Sequence, residues 1–289
     1  MKWDTELLLL SGYHLSKNRE QMSHKGNILV IDDEQVILDA VKKICGSENF
    51  DVDESLNAKD ALNKLDKKKF DLMFCDIMMP EIDGFKFLDE INHRKIETPV
   101  IMTTGYSTVE NAVNSLYKGA IDFIPKPFTA DELLNSVYRG IKYFEIQKEL
   151  KESAQLNRDA TLIYVACPAK YYRLGYASWV SVENKGTALI GITDLFLKTI
   201  ESVADIQFLN IEDEIIQGIS CIQITCTDGL THSVLAPVSG RIIEINEELS
   251  KNKTIIEKDP YFQGWLYRII PNDLDYELKH LIPCSSDRI

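Results

Sequence analysis

Between residues 26 and 145, short apolar runs alternate regularly with longer amphipathic segments. The runs are continuously apolar, which is typical of strands covered on both faces of a sheet. These runs are Ile28–Ile31, Asp71–Cys75, Pro99–Thr104 and Ile121–Ile124. The segments with helical spacing are Gln35–Cys45, Ala58–Leu65, Phe85–Asn92, Thr108–Lys118 and Asp131–Phe144. Strands separated by helices predict a parallel sheet with right-handed crossovers, that is, a doubly wound α/β fold.

Acidic side chains stand where two of these predicted strands end. Asp32 and Asp33 follow the first run directly, and Asp76 closes the run DLMFCD. Because the carboxyl ends of parallel strands line one crevice of such a sheet, we expect these carboxylates to converge there. Converging carboxylates repel one another unless a cation neutralises them, and Mg²⁺ prefers oxygen ligands. The sequence therefore predicts a Mg²⁺ site at this edge.

A hydroxyl and an ammonium group belong to the same predicted edge. Thr104 closes the next strand, and Lys126 follows the last one in the segment FIPKPF. A metal and a lysine would neutralise the charge of a phosphoryl group while one carboxylate attacks its phosphorus. An acid pair after a strand is more often a solvated loop or a helix cap when it stands alone. The conjunction of all five positions favours a phosphoryl-accepting site.

The segments VIDDE, DLMFCDIMMPEIDG, PVIMTTG and GAIDFIPKPF, in this order, resemble the receiver domain of two-component response regulators. The resemblance covers about residues 26–145 and implies a flavodoxin-like fold. It implies that Asp76 is the phosphoacceptor and that Mg²⁺ is held by Asp32, Asp33, Asp76 and the backbone carbonyl of Met78. It further implies that Thr104 and Lys126 contact the phosphoryl group, and that Thr104 and Phe123 form the conformational switch.

After residue 160 the pattern changes to short β-rich runs separated by Gly, Asp and Asn. Only Asp194–Val203 and Leu274–Leu281 have helical spacing, so this region is predicted to be mostly β. The predicted strands are Thr161–Ala166, Trp179–Glu183, Ala188–Ile192, Ile206–Asn210, Cys221–Thr225 and Arg241–Ile245.

Residues of about 168–280 resemble the H protein of the glycine cleavage system, a relative of lipoyl domains. The segments that carry this resemblance are YASWVSVE, GITDLF, ADIQFLNI, APVSGRIIEINEEL and KDPYFQGWLYRIIPND. The resemblance implies a mostly-β barrel-sandwich hybrid. In that family a lysine eight residues before the Pro of the PVSG motif carries lipoate at a hairpin tip, and here that position is Gly229. Asp228-Gly229 is a strong hairpin-turn signal, so we expect the hairpin to form without lipoate.

A register slip cannot supply the missing amine, because no lysine occurs between Thr199 and Ser250. The same hairpin carries Cys221, Cys226 and His232, but their spacing matches no metal-binding pattern. Their positions are explained better by the alternation of side chains along two strands than by a metal site. We therefore expect a domain that serves as a docking or regulatory surface.

Four segments follow from these patterns: a flexible N-terminal segment (1–25), a receiver domain (26–145), a helical linker (146–160) and an H protein-like domain (161–289). The linker is predicted to continue the last receiver helix. Its apolar positions are compatible both with a solvated spacer and with a homodimer contact. Residues 1–21 are expected to contribute little to the fold.

The formal net charge is −13, and both predicted domains are acidic. Nucleic-acid binding requires a basic footprint, so DNA is not an expected partner. The six cysteines form no CxxC pair, and the longest N-terminal apolar run, Leu7–Leu10, is too short for a membrane span. These features favour a cytoplasmic protein without a membrane partner.

These patterns favour a phosphorylated signalling protein, not a metabolic enzyme. Its expected donor is a sensor histidine kinase or a phosphotransfer protein, and its output is an unidentified protein partner of the β-rich domain. An accessory protein that engages glycine cleavage or lipoate-handling enzymes is the alternative. A phosphate sink in a relay is a third possibility.

Overall fold

A computed structural model describes residues 25–155, 163–184 and 186–288. The predicted N-terminal segment lies outside the described residues except for Lys25, and so do residues 156–160 of the predicted linker. None of the helices within the described ranges has the length and apolar content needed to cross a membrane.

The first domain alternates strands and helices in the predicted order. Its strands are β1 (Gly26–Ile31), β2 (Phe50–Ser55), β3 (Leu72–Asp76), β4 (Val100–Thr104) and β5 (Asp122–Pro125). Its helices are α1 (Gln35–Ser47), α2 (Ala58–Leu65), α3 (Gly84–His93), α4 (Val109–Tyr117) and α5 (Ala130–Gln155).

All five strands are parallel, in the order β2-β1-β3-β4-β5. This is the predicted doubly wound sheet. The strand order reverses between β1 and β3, which is where ligands bind in such sheets. Residues of β3 and β4 are buried throughout, as their continuous apolar runs predict.

The apolar runs locate four of the five strands and miss β2. This strand has the sequence FDVDES and lies at the sheet edge, where Asp51 is exposed and the other acidic residues are half-buried. Lys42 pairs with Glu54, and Lys68 pairs with Asp53. An edge strand can hold charged side chains along its length, so a search for strands covered on both faces does not detect it.

Polar caps fix where the helices of the first domain begin. Thr108 accepts a hydrogen bond from the Asn111 amide at the start of α4 (3.1 Å), and Asp83 accepts one from the Lys86 amide at the start of α3 (2.9 Å). At the start of α5, Thr129 and Glu132 exchange hydrogen bonds in a capping box. Each such cap stabilises its helix by about 1 kcal/mol. The caps therefore set the lengths of the loops that carry the site residues.

The second domain is mostly β, as predicted. Its strands are β6 (Tyr172–Leu174), β7 (Ser178–Val182), β8 (Ala188–Ile192), β9 (Val203–Gln207), β10 (Glu214–Ile215), β11 (Ser220–Cys226), β12 (Thr231–Leu235), β13 (Gly240–Ile245), β14 (Tyr267–Pro271) and β15 (Ile282–Pro283). Its α-helices are α6 (Asp194–Leu197), α7 (Glu247–Lys251), α8 (Thr254–Lys258) and α9 (Leu274–Glu277), and 3-10 turns follow at Leu278–His280 and Cys284–Arg288.

The strands form two sheets, one with the order β10-β13-β14-β8-β7-β6-β15 and one with the order β12-β11-β9. Their pairings are antiparallel, and the two sheets enclose a core that contains Tyr267 and Ile224, both fully buried. This arrangement agrees with the predicted H protein-like architecture.

Three local predictions for this domain were wrong. The run Thr161–Ala166 forms no strand over its described residues 163–166, and the helix predicted over Asp194–Val203 ends at Leu197. The chain then enters β9 at Val203. Helices α7 and α8 were missed because five residues are too few to show a helical period.

The two domains pack against each other. Side chains of α4 and α5 share one continuous apolar core with the start of the β-rich domain. The rings of Tyr143 on α5 and Tyr176 lie 5.0 Å apart, and Gly175 packs against Leu116 on α4. The β-rich domain therefore covers the α4 and α5 side of the first domain.

Candidate functional site

Two buried carboxylates share one lysine at the carboxyl edge of the parallel sheet. The Lys126 ammonium nitrogen lies 2.6 Å from Oδ2 of Asp32 and 2.8 Å from Oδ1 of Asp76. The exposed fractions of the three side chains are 9%, 2% and 4% in that order. Such close charges out of water interact far more strongly than a surface pair does.

Strand register accounts for this convergence. Ile31 of β1 is paired with Cys75 of β3, so the residues that follow them, Asp32 and Asp76, emerge side by side. Lys126 follows β5, and its backbone amide donates to the Thr104 carbonyl at 2.8 Å, which fixes the strand end beside β4. The Lys126-Pro127 peptide bond is cis.

The turn after β3 orients the Asp76 carboxylate. The Met78 amide donates to Oδ2 of Asp76 at 2.7 Å, which leaves Oδ1 to Lys126. The Gly84 amide donates to the Ile77 carbonyl at 2.9 Å and closes the turn onto the start of α3. The Met78 side chain itself is 53% exposed, so it does not cover the site.

The structure does not bring the third predicted carboxylate into this group. Asp33 is exposed, and Glu34 reaches only 3.9 Å from the Lys126 nitrogen. The Glu34 backbone amide instead donates to Oδ1 of Asp32 at 3.0 Å. Within the described part of the chain, no three His, Cys, Asp or Glu side chains are grouped closely enough to hold a metal.

The predicted switch residues, Thr104 and Phe123, lie on the neighbouring strands β4 and β5. Thr104 is fully buried, and its hydroxyl oxygen accepts a hydrogen bond from the Tyr106 amide at 3.1 Å. Phe123 is half-buried and lies opposite Met102 of β4. Its neighbour Asp122 begins β5, so this strand leads from Asp122 to Lys126 in four residues.

Burial and charge have opposite effects on the titration of the cluster. Burial alone would lower the pKa of Lys126, but hydrogen bonds to Asp32 and Asp76 outweigh it and raise that pKa, so the ammonium persists. Burial raises the pKa of Asp32 despite the hydrogen bond from Lys126, and the neighbouring Asp76 charge adds to this effect. One ammonium therefore does not fully offset the two carboxylates.

This uncompensated charge bears on the Mg²⁺ expectation. The two carboxylates offer only oxygen donors, which suits a hard cation, and their excess negative charge would favour one. Asp32 and Asp76 fit the predicted ion, whereas the exposed Asp33 makes no contribution in this arrangement.

In the second domain, β11 and β12 form the hairpin that the Asp228-Gly229 pair predicts. Gly229 has a φ of +85°, and no atom lies within 4 Å of the position a Cβ would occupy. Cys221, Cys226 and His232 are all buried in this hairpin. The two cysteines are free thiols whose pKa values burial raises to about 12 and about 11, so they are poor thiolate donors.

Comparison with known protein families decides what the two halves are. Residues 28–138 match the response regulator receiver domain, and residues 170–285 match the glycine cleavage H-protein. The chain joins a receiver domain to a glycine cleavage H-protein domain. Both resemblances inferred from the motifs are thereby confirmed, and the order of the two halves is as predicted.

The curated relatives match through the receiver half. The nitrogen assimilation regulatory protein NtrX of Azorhizobium caulinodans is 33% identical over 144 residues, which are 49% of this chain and 31% of that protein. The regulatory protein AtoC of Escherichia coli is 34% identical over 134 residues, covering 46% of this chain and 29% of that protein. The chain thus spans about a third of the length of these two relatives.

Among solved structures, the receiver domain of NtrX from Brucella abortus is 38% identical, with a TM-score of 0.38. The match covers 39% of this chain and 97% of that structure.

Sequence reasoning missed one group of buried polar residues between the two domains. Arg139 on α5 contacts Asp122 and Ser136 of the receiver and His232 of the β-rich domain. The sequence did indicate a shared helix face, because Ser136, Arg139 and Tyr143 follow helical spacing on α5. The partner on the other domain could not be identified without the tertiary fold.

Proposed function

We propose that this chain is a two-component response regulator that accepts a phosphoryl group on Asp76. The observation that supports this most directly is the position of Lys126, whose ammonium touches both Asp32 and Asp76 at the carboxyl edge of the sheet. The match to the receiver family over residues 28–138 supports the same assignment. The expected phosphoryl donor is a sensor histidine kinase or a histidine phosphotransfer protein.

In the proposed reaction an oxygen of Asp76 attacks the phosphorus of the donor. An O–P bond forms on the carboxylate while the N–P bond of a phosphohistidine breaks, and the electron pair leaves with the imidazole. Lys126 neutralises charge on the phosphoryl oxygens, and the Thr104 hydroxyl donates to one of them. Asp32, Asp76 and the Met78 carbonyl would hold a Mg²⁺ ion that neutralises further charge, and the exposed Asp33 would have to turn inward to join them.

The β-rich half is proposed to be an output or docking domain that neither binds DNA nor carries lipoate. The whole chain has a formal net charge of −13, which opposes contact with a phosphate backbone. The hairpin tip offers Gly229 where the family's lipoyl lysine is expected, and no lysine lies between Thr199 and Ser250. The protein therefore acts by changing contacts, and its catalysis is limited to its own phosphorylation.

The first prediction tests the phosphoacceptor. Incubation of the full chain with acetyl phosphate and Mg²⁺ should add one phosphoryl group, as intact-mass spectrometry measures, and Asp76→Asn should abolish this addition because an amide oxygen is a far weaker nucleophile. Asp39→Asn changes an exposed acid on α1 and serves as the matched control. An unchanged phosphoryl gain in Asp76→Asn protein would rule out Asp76 as the acceptor.

A second candidate follows from the H-protein match over residues 170–285. In that case the chain is an accessory protein that engages glycine cleavage or lipoate-handling enzymes through its H-like surface. The two candidates differ in what the β-rich domain binds. Saturable binding to purified glycine decarboxylase or lipoate ligase, independent of Asp76, would favour this alternative.

The lipoate prediction has its own experiment. A lipoate ligase supplied with ATP and lipoate should leave the mass of this chain unchanged, while an H protein that starts without lipoate gains one lipoyl group in the same reaction. The physical reason is the absence of an amine at the hairpin tip. A lipoyl adduct mapped to the β-rich domain would contradict the prediction.

A further inference from the structure

The β11–β12 hairpin lies against α5 of the receiver. Strand β12 is an edge strand of its sheet, and receiver side chains contact this edge. The Asn135 side-chain amide donates to the Thr231 carbonyl at 3.3 Å, and an Arg139 nitrogen lies 2.8 Å from Nδ1 of His232. An edge strand carries unpaired backbone groups, so these contacts cover a surface that would otherwise be available to another chain.

Arg139 is the centre of this contact. Its guanidinium pairs with Asp122, donates to the Ser136 hydroxyl oxygen at 3.1 Å and lies 5.9 Å from the ring centre of Phe196 in the β-rich domain. The side chain is 11% exposed. Charged side chains this deeply buried are costly unless they are paired, and separation of the domains would remove the contacts of Arg139 with His232 and Phe196.

His232 is suited to accept from Arg139. Burial, with a contribution from the Arg139 charge, lowers the pKa of His232 to about 4 against the smaller opposing effects of Asp228 and Asp122. The imidazole is therefore neutral at pH 7. A neutral ring whose Nδ1 faces an arginine carries its proton on Nε2 and accepts at Nδ1.

The same contact is connected to the phosphoryl site through β5. Asp122 is paired in register with Ile101 at one end of the strand, and Pro125 is paired with Thr104 at the other. Lys126 follows at once and holds Asp32 and Asp76. A phosphoryl group on Asp76 would give Lys126 and Thr104 a new anion to contact, and a shift of Lys126 toward this anion would pull on the end of β5.

Helix α4 meets the β-rich domain at a point that tolerates little movement. Gly218 has a φ of +78°, and a Cβ there would lie 2.7 Å from a methyl group of Val113 and 3.4 Å from Val109. A Cβ at Gly175 would lie 3.4 Å from side-chain atoms of Leu116. Packed interfaces of this kind shift between discrete arrangements instead of deforming continuously.

From these contacts we infer that Arg139 is an interdomain latch that holds the β11–β12 hairpin on the unphosphorylated receiver and releases it when Asp76 is phosphorylated. This inference rests on the proposed function of Asp76. Displacement of β5 removes Asp122, the only carboxylate that the guanidinium is described as contacting, and the neutral contacts with His232 and Phe196 then no longer keep the edge of β12 covered. The released hairpin edge is the surface that the phosphorylated form presents.

The test is hydrogen exchange of the full chain with Mg²⁺, with and without beryllofluoride, a stable mimic of the phosphoryl group. Backbone amides of Thr231–Leu235 should exchange about tenfold faster when beryllofluoride is bound. A separate titration measures whether beryllofluoride binds at all. Binding without faster exchange in β12 would overturn the latch and leave the phosphoacceptor standing, whereas failure to bind would overturn both.

Two variants test the latch from the side of the β11–β12 hairpin. His232→Ala removes the acceptor of Arg139 and should speed exchange in β12 before any beryllofluoride is added, while Gln223→Ala on the exposed face of β11 should not. Because coupling is reciprocal, His232→Ala should bind beryllofluoride more tightly by about the same factor as its hairpin opens. Unchanged affinity together with faster exchange would overturn the coupling.

A wedge in the interface provides a second route that leaves the latch residues intact. Gly218→Ala should part α4 from the β-rich domain and raise beryllofluoride affinity. Gly186→Ala is the matched control, because Gly186 has the same φ of +78° and nothing within 4 Å of its Cβ position. Equal behaviour of the two variants would show that backbone strain, not domain separation, causes the effect.

Discussion

Replacing Lys126 with alanine should destabilise the receiver by about 3 kcal/mol in Mg²⁺-free buffer. The substitution leaves the Asp32 and Asp76 carboxylates, 2% and 4% exposed, without the ammonium that both contact. Breaking a buried ion pair costs more than the pair itself contributes, because the remaining charge keeps its desolvation penalty. Added Mg²⁺ should recover part of the loss, since a ligand that binds only the folded state stabilises it.

Urea unfolding followed by circular dichroism, with and without Mg²⁺, measures both effects. Lys118→Ala is the matched control, because Lys118 also contacts a carboxylate, that of Asp89, at 2.7 Å. These side chains are 29% and 56% exposed, so the control should lose less than about 1 kcal/mol. Equal losses in the two variants, or a Lys126→Ala loss that Mg²⁺ does not reduce, would contradict the proposed charge balance.

The receiver could be predicted largely from sequence because its signals are local. Each buried strand is one apolar run, and the residues that end these runs, among them Asp32, Asp76 and Thr104, necessarily emerge at one edge of a parallel sheet. The fold alone therefore brings distant residues together. Strand β2 was not predicted because its acidic side chains are tolerated only at the edge of a sheet, and the sequence does not reveal which strand lies at the edge.

The details of the site depend on rotamers and loop geometry, which no pattern specifies. Asp32 and Asp33 are adjacent in sequence, yet one is buried on Lys126 and the other is exposed. The Glu34 amide, directly before α1, donates a hydrogen bond to the Asp32 carboxylate and so helps to hold that side chain inward. Sequence reasoning grouped the two acids, whereas the structure separates them.

The contact between the domains is the part that sequence could not predict. Arg139 resembles an ordinary charged residue on an amphipathic helix until the fold places His232 beside it, 93 positions further along the chain. A close approach such as that of Gly218 to Val113 also depends on how two finished domains pack. Each of the two surfaces in contact is built from segments that are distant in sequence. The sequence of one segment therefore does not predict which residue of the other domain it will contact.

Gly84→Ala should cost about 3 kcal/mol of receiver stability and abolish beryllofluoride binding. A Cβ at this position would overlap the backbone carbonyl oxygen of Asp76 and lie 2.9 Å from Cα of Ile77. Overpacking against a flexible side chain is relieved by a rotamer change, but here both neighbours are backbone atoms. The turn that aims Asp76 at Lys126 must therefore move.

Measuring the free energy of unfolding and the beryllofluoride affinity together distinguishes a displaced turn from a general loss of helix. Gly46→Ala is the control, because Gly46 lies in the last turn of α1 with nothing within 4 Å of its Cβ position. Alanine has the higher helix propensity, so this control should be neutral or more stable by up to about 1 kcal/mol, with binding intact. If Gly84→Ala lost stability and still bound beryllofluoride with wild-type affinity, the turn after β3 would not be what positions Asp76. Loss of binding in a protein that still unfolds cooperatively would show that a displacement of the Asp76 backbone is enough to disable the site.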